Sequence, residues 1–188
     1  MPSVRPYKEK DKERVQKICL DNAGCENASE DTKKYILIMY CNYYIEQEPH
    51  NCFVAVDDED NAVGYIICAE DYDKYEETFI EKYLPQAAAI SARRYVEAKL
   101  DLLTHSMFKA TYAAHFHIDI ADEYQRCGLG SLLIATLKAH LKKKNIPGVM
   151  LVCGEANQQA INFYTKNSFK SLITTKFGKA MAIDFENR

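Results

Sequence analysis

The feature of the sequence that most constrains the fold is a turn with two glycines between a strand-like segment and a helix-like segment. The turn reads Gln125-Arg126-Cys127-Gly128-Leu129-Gly130-Ser131, and it follows a β-rich run that ends at Ile120. The residues after it, 128–144, carry leucines at helical spacing. Glycine permits positive φ and close backbone approach, and the first N–H groups of a helix have no intrahelical partner. We therefore expect this turn to hold an anion, and a pyrophosphate in particular.

Two common phosphate-binding motifs do not fit this turn. A nucleoside-triphosphate P-loop needs a lysine after its last glycine, but Gly130 is followed by Ser131. A dinucleotide fingerprint needs a third small residue, where this chain has Leu133, and an acidic residue about twenty positions further on, where it has Met150 and Leu151. Both classes of site are excluded.

The rest of the chain alternates β-rich and helix-like segments. Two of the predicted strands flank the acidic run Asp57 to Asn61, which predicts an antiparallel hairpin. The predicted strands are 4–7, 52–56, 63–68, 110–120, 148–153, 171–175 and 180–185. The predicted helices are 11–22, 32–46, 128–144 and 158–167. Residues 71–108 break this rhythm and are predicted to be a helical insertion, with one or two helices over 86–103 after Pro85.

Length and charge restrict the class of protein. A chain of 188 residues with 47% hydrophobic residues can bury the core of one domain. Lys and Arg total 24 against 27 Asp and Glu, a net charge of −3, which disfavours nucleic acid as the main partner. No run of apolar residues is long enough to span a membrane and the amino terminus is polar, so we expect a cytoplasmic protein without a membrane partner.

The cysteines indicate neither a zinc ribbon nor a disulfide framework. There are seven of them, an odd number, scattered along the chain without a Cys-x-x-Cys pair. We interpret most of them as small core residues in a reducing compartment, and we expect no metal.

The strand before the glycine turn has a polar face. Because side chains alternate along a strand, His115, His117 and Asp119 share one face, which is typical of a cleft wall. Solvated polar strand faces are also common. Two histidines two residues apart allow a metal-dependent hydrolase as an alternative, although Ile120 stands where a third histidine would be expected.

Two motifs resemble those of the GNAT superfamily of acyl-CoA-dependent N-acyltransferases. Gln125, Gly128 and Gly130 match its Gln/Arg-x-x-Gly-x-Gly/Ala pattern. Residues 157–169 resemble the family's Asn-x-x-Ala-x-x-Phe-Tyr-x-x-x-Gly-Phe segment, with Ser168 where glycine is usual. The run from His117 to Arg126 is further similar to the acetyltransferase-like domain at the end of O-GlcNAc hydrolases and its free-standing bacterial relatives.

The resemblance covers nearly the whole chain outside 71–108 and implies a fold. It implies one GNAT-like domain over 1–188, an α/β fold of the α+β type. Its mixed sheet would be mostly antiparallel, with a splayed central pair of parallel strands and helices on both faces.

The resemblance also implies acetyl-CoA as acyl donor and assigns residues to it. The backbone at Ile118 and Ile120 would pair with the pantetheine arm, and the side chain of Gln125 would brace the loop. Asn157, itself a candidate helix N-cap, would contact the pantetheine, with Ala160 and Phe163 from the same motif beside it. The amides expected to hold the pyrophosphate are those of Arg126, Cys127, Gly128, Leu129, Gly130 and Ser131.

Acetyl transfer needs an acid and a base. Tyr164 matches the family tyrosine that donates a proton to the CoA sulfur, and the alternative is a tyrosine that packs a helix face. For the base we expect Asp119 first and His117 second, either directly or through water.

The acceptor is expected to be a primary amine of a small molecule or a peptide, attacked directly in a ternary complex. The segments 32–46 and 71–108 are acidic and tyrosine-rich, which favours a cationic amine. The alternative is a catalytically degenerate acyl-CoA-binding or interaction module. The sequence leaves a homodimer open.

Overall fold

The computed structural model, which describes residues 3–175 and 178–185, is organised around one sheet of seven strands. The strands are β1 (Ser3–Pro6), β2 (Cys52–Val56), β3 (Ala62–Ala69), β4 (His115–Ile120), β5 (Gly148–Cys153), β6 (Lys170–Thr175) and β7 (Gly178–Asp184). Their order across the sheet is β1-β2-β3-β4-β5-β7-β6. Neighbouring strands are antiparallel except β4 and β5, which are parallel. The predicted fold class, with its central parallel pair, is confirmed.

Helices cover both faces of this sheet. They are α1 (Lys12–Asn22), α2 (Glu30–Leu37), α3 (Tyr43–Gln47), α4 (Tyr72–Thr78), α5 (Leu84–Ile90), α6 (Ala92–Ser106), α7 (Leu129–Lys143) and α8 (Gln158–Lys166). A π-helical turn over Ile38–Asn42 joins α2 to α3, so the predicted helix over 32–46 is one continuous helical path with a local widening. No helix within the described ranges combines the length and apolar character needed to cross a membrane.

The sheet separates two apolar cores, and its interior strand β3 is buried along its whole length between them. On one face, Tyr65 and Ile67 pack with α1 to α6. On the other face, Ile66 and Cys68 pack with the leucines of α7. Two-sided burial explains why 63–68 is continuously apolar rather than alternating.

Residues 71–108 form three helices, and the first begins earlier than predicted. The side chain of Asp71 accepts hydrogen bonds from the backbone N–H groups of Asp73 (2.9 Å) and Lys74 (3.3 Å), which starts α4. Ser91 caps α6 by accepting from the N–H of Arg94 at 3.1 Å. The prediction of one or two helices starting after Pro85 therefore missed α4.

The predicted strand over 110–120 was too long, since β4 begins at His115. The backbone N–H groups of Thr111 and Tyr112 donate to the carbonyl of Phe108 at 2.9 and 2.8 Å. These bonds continue the turn that ends α6, so the β-prone residues 110–112 cannot pair with the sheet.

Candidate active site

A cleft opens where the two parallel strands separate. Strands β4 and β5 are paired at His115 and Met150, and the N–H of Met150 donates to the carbonyl of Ala114 at 3.0 Å. Beyond this point the strands diverge, and a cleft of about 1020 Å³ lies between them. It is lined by 116–120 of β4, by 151–154 at the end of β5, and by the start of α7 and one side of α8. An extended chain inserted there would find the free backbone edges of both strands.

The glycine turn forms the mouth of this cleft. Arg126 and Gly128 both have left-handed backbones, with φ of 62° and 89°, and Gly128 is the N-cap of α7. A Cβ added at Gly128 would meet no protein atom within 4 Å, so the space beside it is open. Left-handed residues next to a helix N-terminus point successive N–H groups at one place. The turn therefore fits an anion on the cleft side.

The side chain of Gln125 holds this turn against the end of β4. Its Nε2 donates to the carbonyl of Ile120 at 3.1 Å and to Asp122 Oδ1 at 2.9 Å. From α1, Asn22 Nδ2 donates to the same carbonyl at 3.2 Å and also lines the cleft. Sequence reasoning missed Asn22, because no local pattern marks a helix residue whose partner lies 98 positions away.

Gly130 serves packing as well as the turn. A Cβ at Gly130 would lie 2.8 Å from Cζ of Phe163 and 3.4 Å from Cδ1 of Ile120. The ring of Phe163 thus occupies the space over the first turn of α7, which only glycine leaves free. Gly130 therefore allows α7, which follows the first motif, to pack closely against α8, which carries the second.

Two of the residues predicted to hold the pyrophosphate, Cys127 and Leu129, have side chains that do not line the cleft. Leu129 is 4% exposed within the core under α7. Cys127 is exposed, and its thiol donates to the carbonyl of Tyr124 at 2.7 Å. Any contribution from either residue to the cleft must come from the backbone.

Helix α8 forms the opposite wall and carries Tyr164. Asn157 caps this helix by accepting from the N–H of Ala160 at 3.0 Å, which confirms the predicted N-cap. Tyr164 lines the cleft, but only 8% of it is exposed, and burial raises the pKa of its phenol. The phenol is therefore protonated at neutral pH and can donate a proton.

The family glycine position at 168 keeps its backbone conformation although the residue is serine. Ser168 has a left-handed backbone, with φ of 72°, directly after α8. Glycine adopts this conformation without cost, which accounts for its use in the family segment. The departure from the motif therefore leaves the path of the chain into β6 unchanged.

Asp119 lies on the wall formed by β4 and is paired with a residue that sequence reasoning missed. The hydroxyl of Tyr65 donates a hydrogen bond to Asp119 Oδ2. Burial raises the pKa of Asp119 to about 7, and the bond from Tyr65 opposes this rise. The carboxyl group therefore changes charge in the neutral range.

His117 also lines the cleft, with a different electrostatic character. Its ring packs edge-on against Tyr40 and Tyr44, at centroid distances of 5.5 and 5.2 Å. Burial, with a smaller contribution from His105, lowers the pKa of His117 to about 3. The ring is neutral at physiological pH and is a weak base.

His115 does not line the cleft, so this part of the predicted polar wall is wrong. Its ring is 1% exposed and is enclosed by aromatic rings from α3, α4 and α6. The ring centroids of Tyr75 and His105 lie 4.5 and 5.0 Å away. The alternation of side chains along β4 was predicted correctly, but the three helices cover His115 and separate it from the cleft.

The alternative of a metal-dependent hydrolase finds no support in the side-chain positions. Among the described residues, the ligand atoms of Glu48, His50 and Glu70 lie within 4.8 Å of one another, away from the cleft. His115, His117 and Asp119 form no such group in that part of the chain. Glu70 also forms an ion pair with Lys144, so the ammonium group of Lys144 already balances the charge of this carboxylate.

Comparison with solved structures finds proteins that share this fold. The crystal structure of SsHAT matches with a TM-score of 0.87 and 25% identity, over 99% of both chains. PH1933 from Pyrococcus horikoshii OT3 matches with a TM-score of 0.70 and 19% identity over the whole of both chains. The PaiA N-acetyltransferase from Thermoplasma acidophilum, solved in complex with coenzyme A, matches with a TM-score of 0.62 and 16% identity, over 98% of this chain and 99% of that one. Because their identities are only 19% and 16%, the last two matches show a shared fold and no more.

The model of the acetyltransferase (GNAT) family matches residues 15–169. The protein is therefore of the acetyltransferase class, which uses acetyl-CoA as donor. It belongs to the GNAT family, as the two sequence motifs indicated.

Proposed function

We propose that this protein transfers the acetyl group of acetyl-CoA to a primary amine, by direct attack of the amine in a ternary complex. The observation that carries the proposal is that Asp119 and Tyr164 line the same cleft. Asp119 enters it from β4 and Tyr164 from α8. A group that accepts a proton and a group that donates one are what the transfer requires.

The donor is proposed to enter between β4 and β5 with its pyrophosphate at the glycine turn. The open space beside Gly128 and the left-handed turn support this placement. The backbone of Ile118 and Ile120 is proposed to pair with the pantetheine arm, and Asn157, Ala160 and Phe163 to line its other side. The backbone N–H groups proposed to hold the pyrophosphate are those of Arg126, Cys127, Gly128, Leu129, Gly130 and Ser131. These residues fit the donor, which supplies the acetyl thioester.

Asp119 is proposed as the general base. An amine arrives as an ammonium ion, which an ionised carboxylate attracts and can deprotonate. With a pKa of about 7, Asp119 is ionised at slightly alkaline pH and is a far better proton acceptor than His117. His117 is proposed to shape the acceptor end through its contacts with Tyr40 and Tyr44.

Tyr164 is proposed as the general acid. Its protonated phenol is held by the rings of Phe116 and Phe169, at centroid distances of 6.3 and 5.7 Å. From this position it donates a proton to the departing thiolate. A donor of this kind is typically worth about 10²- to 10⁴-fold in rate.

A thiol-release assay with acetyl-CoA tests the proposed function. It is run across simple amines, diamines, amino acids, amino sugars and peptides, with mass spectrometry of the acceptor to detect the added acetyl group. We expect release of thiol that depends on the amine and matches the acetylated product in amount. Binding of CoA without release of thiol for any acceptor would contradict the proposal and favour an acyl-CoA-binding module.

A further inference from the structure

The pair formed by Tyr65 and Asp119 is a feature of the cleft that neither motif contains. The two residues are direct partners in the antiparallel pairing of β3 with β4, and Tyr65 is fully buried. Directly opposed residues of paired strands lie on the same face of the sheet. The sheet register therefore brings the phenol to the carboxylate, and the hydroxyl donates to Asp119 Oδ2.

We propose that Tyr65 is a positioning residue of this enzyme, whose hydroxyl orients the Asp119 carboxylate in the cleft and keeps it available to take the proton of the acceptor amine. This inference rests on the proposed function. In the step itself, an N–H bond of the ammonium ion breaks and an O–H bond forms on Asp119. Tyr65 keeps its own proton throughout.

The close approach of β3 to β4 fixes this pair. Gly64 precedes Tyr65, and a Cβ at Gly64 would lie 3.0 Å from Cγ1 of Ile120 and 3.2 Å from the backbone oxygen of Asp119. The glycine therefore lets the two strands meet closely at the residue next to the pair. A slip of one residue would turn Tyr65 to the other face of the sheet.

The groups around Asp119 make Tyr65 its main stabilising partner. Tyr65 approaches from β3, and Cys41 from the turn between α2 and α3. Tyr164 approaches from α8, and His117 precedes Asp119 by two residues on β4. The thiol of Cys41, the phenol of Tyr164 and the ring of His117 are all neutral at physiological pH. Among the described residues, the bond from Tyr65 is the interaction that favours the ionised carboxylate.

The effect of Tyr65 on the pH dependence has a definite sign. The bond lowers the pKa of Asp119, while burial raises it. Removing the hydroxyl leaves the effect of burial unopposed, so the carboxyl group ionises at a higher pH. Burial also raises the pKa of Tyr65 itself, which therefore remains a donor across the working pH range.

The test is the pH dependence of kcat/KM for Tyr65→Phe, measured with the acceptor that wild type uses best. We expect the rising limb to move up by about 1–2 pH units, the range given by one hydrogen bond to a charged group. The affinity for CoA should not change. NMR of the Asp119 carboxyl carbon, assigned with Asp119→Asn, should show the same upward shift without any acceptor present.

Tyr43→Phe is the matched control. Its hydroxyl donates to the buried carboxylate of Glu48 at 2.7 Å, so it has the same kind of partner in the same core but away from the cleft. We expect this variant to lose stability, while the rising limb of its kcat/KM profile stays at the same pH as in wild type. A fluorinated tyrosine at position 65 preserves the fold and donates more strongly, so it should move the limb to lower pH.

The outcomes separate the two proposals. If wild type acetylates no amine, the proposed function itself is wrong. If wild type is active but the limb stays in place in both Tyr65→Phe and the fluorinated variant, the role of Tyr65 is overturned. An equal shift in Tyr43→Phe would also overturn it, because the effect would then be one of general stability.

Discussion

Tyr65 and Asp119 face each other across the β3–β4 pair, joined by a hydrogen bond from phenol to carboxylate. Strand β3 lies in the interior of the sheet and is buried on both faces. The carboxyl group proposed as the base is therefore anchored to a buried strand of the sheet rather than to a loop. The cost of this anchoring is that burial disfavours the ionised form of the Asp119 carboxyl group.

This cost predicts that Asp119→Asn is more stable than wild type at alkaline pH. The pKa of Asp119 is about 7 in the folded protein, above the value of about 3.9 expected in an unfolded chain. Between these values the folded state binds more protons, so wild-type stability falls as pH rises from about 4 to about 7. Asparagine does not titrate and still accepts the bond from Tyr65. The advantage of Asp119→Asn should grow across this window to at most about 4 kcal/mol.

Urea denaturation of both proteins from pH 4 to pH 8.5 measures this difference. Asp60→Asn is the control with opposite sign, because the ion pairs of Asp60 with Arg5 and Lys10 lower its pKa to about 2. That variant should lose stability at neutral pH relative to wild type. An advantage of Asp119→Asn that did not change with pH would show that Asp119 has an ordinary pKa.

Substitution of Gly128 should abolish the binding of CoA. In Gly128→Leu the side chain would project into the open space beside the turn, where we propose the pyrophosphate binds. Gly24→Leu is the matched control. Gly24 also has a positive φ, 65°, and a Cβ there also meets nothing within 4 Å, but it lies at the end of α1.

Isothermal titration calorimetry with CoA compares the two glycine variants. Both should lose similar stability from backbone strain, and only Gly128→Leu should lose affinity. Equal affinity in the two variants would show that the pyrophosphate does not approach this turn.

Tyr164→Phe should keep the affinity for CoA and lower turnover by roughly 10²-fold, because the proton donor is lost while the ring remains. Tyr7→Phe controls for the loss of a hydroxyl from the core, since the hydroxyl of Tyr7 is buried without a hydrogen-bond partner among the described residues. Steady-state thiol release at saturating acetyl-CoA gives both rates. Unchanged turnover in Tyr164→Phe would reduce Tyr164 to a packing residue.

Ser168→Gly should stabilise the protein. A left-handed backbone costs a residue other than glycine about 1 kcal/mol, which the substitution removes. The melting temperature should rise by about 2–3 °C in a chain of this size. Ser171→Gly, within β6, should lower it instead, because glycine weakens an extended strand. A fall in melting temperature for Ser168→Gly would contradict this reading of the motif.

The fold was predictable from sequence where the pattern is local. The glycine turn, the spacing of leucines on α7 and the hairpin at 57–61 each rely on neighbouring residues, and the structure has all three. The family motifs then added the parallel pair, which no local pattern contains. The limits of β4 were misjudged because residues 110–112 have strand propensity but continue the end of α6 through backbone hydrogen bonds.

The parts of the site that sequence reasoning missed depend on contacts between distant segments. Tyr65 meets Asp119 because of sheet register, across 54 positions. His115 is enclosed because α4 and α6 bring Tyr72, Tyr75 and His105 over β4. Gly130 is small because Phe163 of α8 fills the space above it. None of these relationships has a signature within a window of ten residues.

The most direct test of the account is the turnover of Asp119→Asn and His117→Ala beside wild type, with acetylated product quantified across a pH series. We expect a large fall in turnover for Asp119→Asn, a smaller fall for His117→Ala, and preserved CoA binding in both. An acceptor that is already neutral at the assay pH should reduce the loss in Asp119→Asn, because no proton then has to be removed before attack. Full activity of Asp119→Asn at every pH, with activity lost in His117→Ala, would contradict the account and make His117 the base.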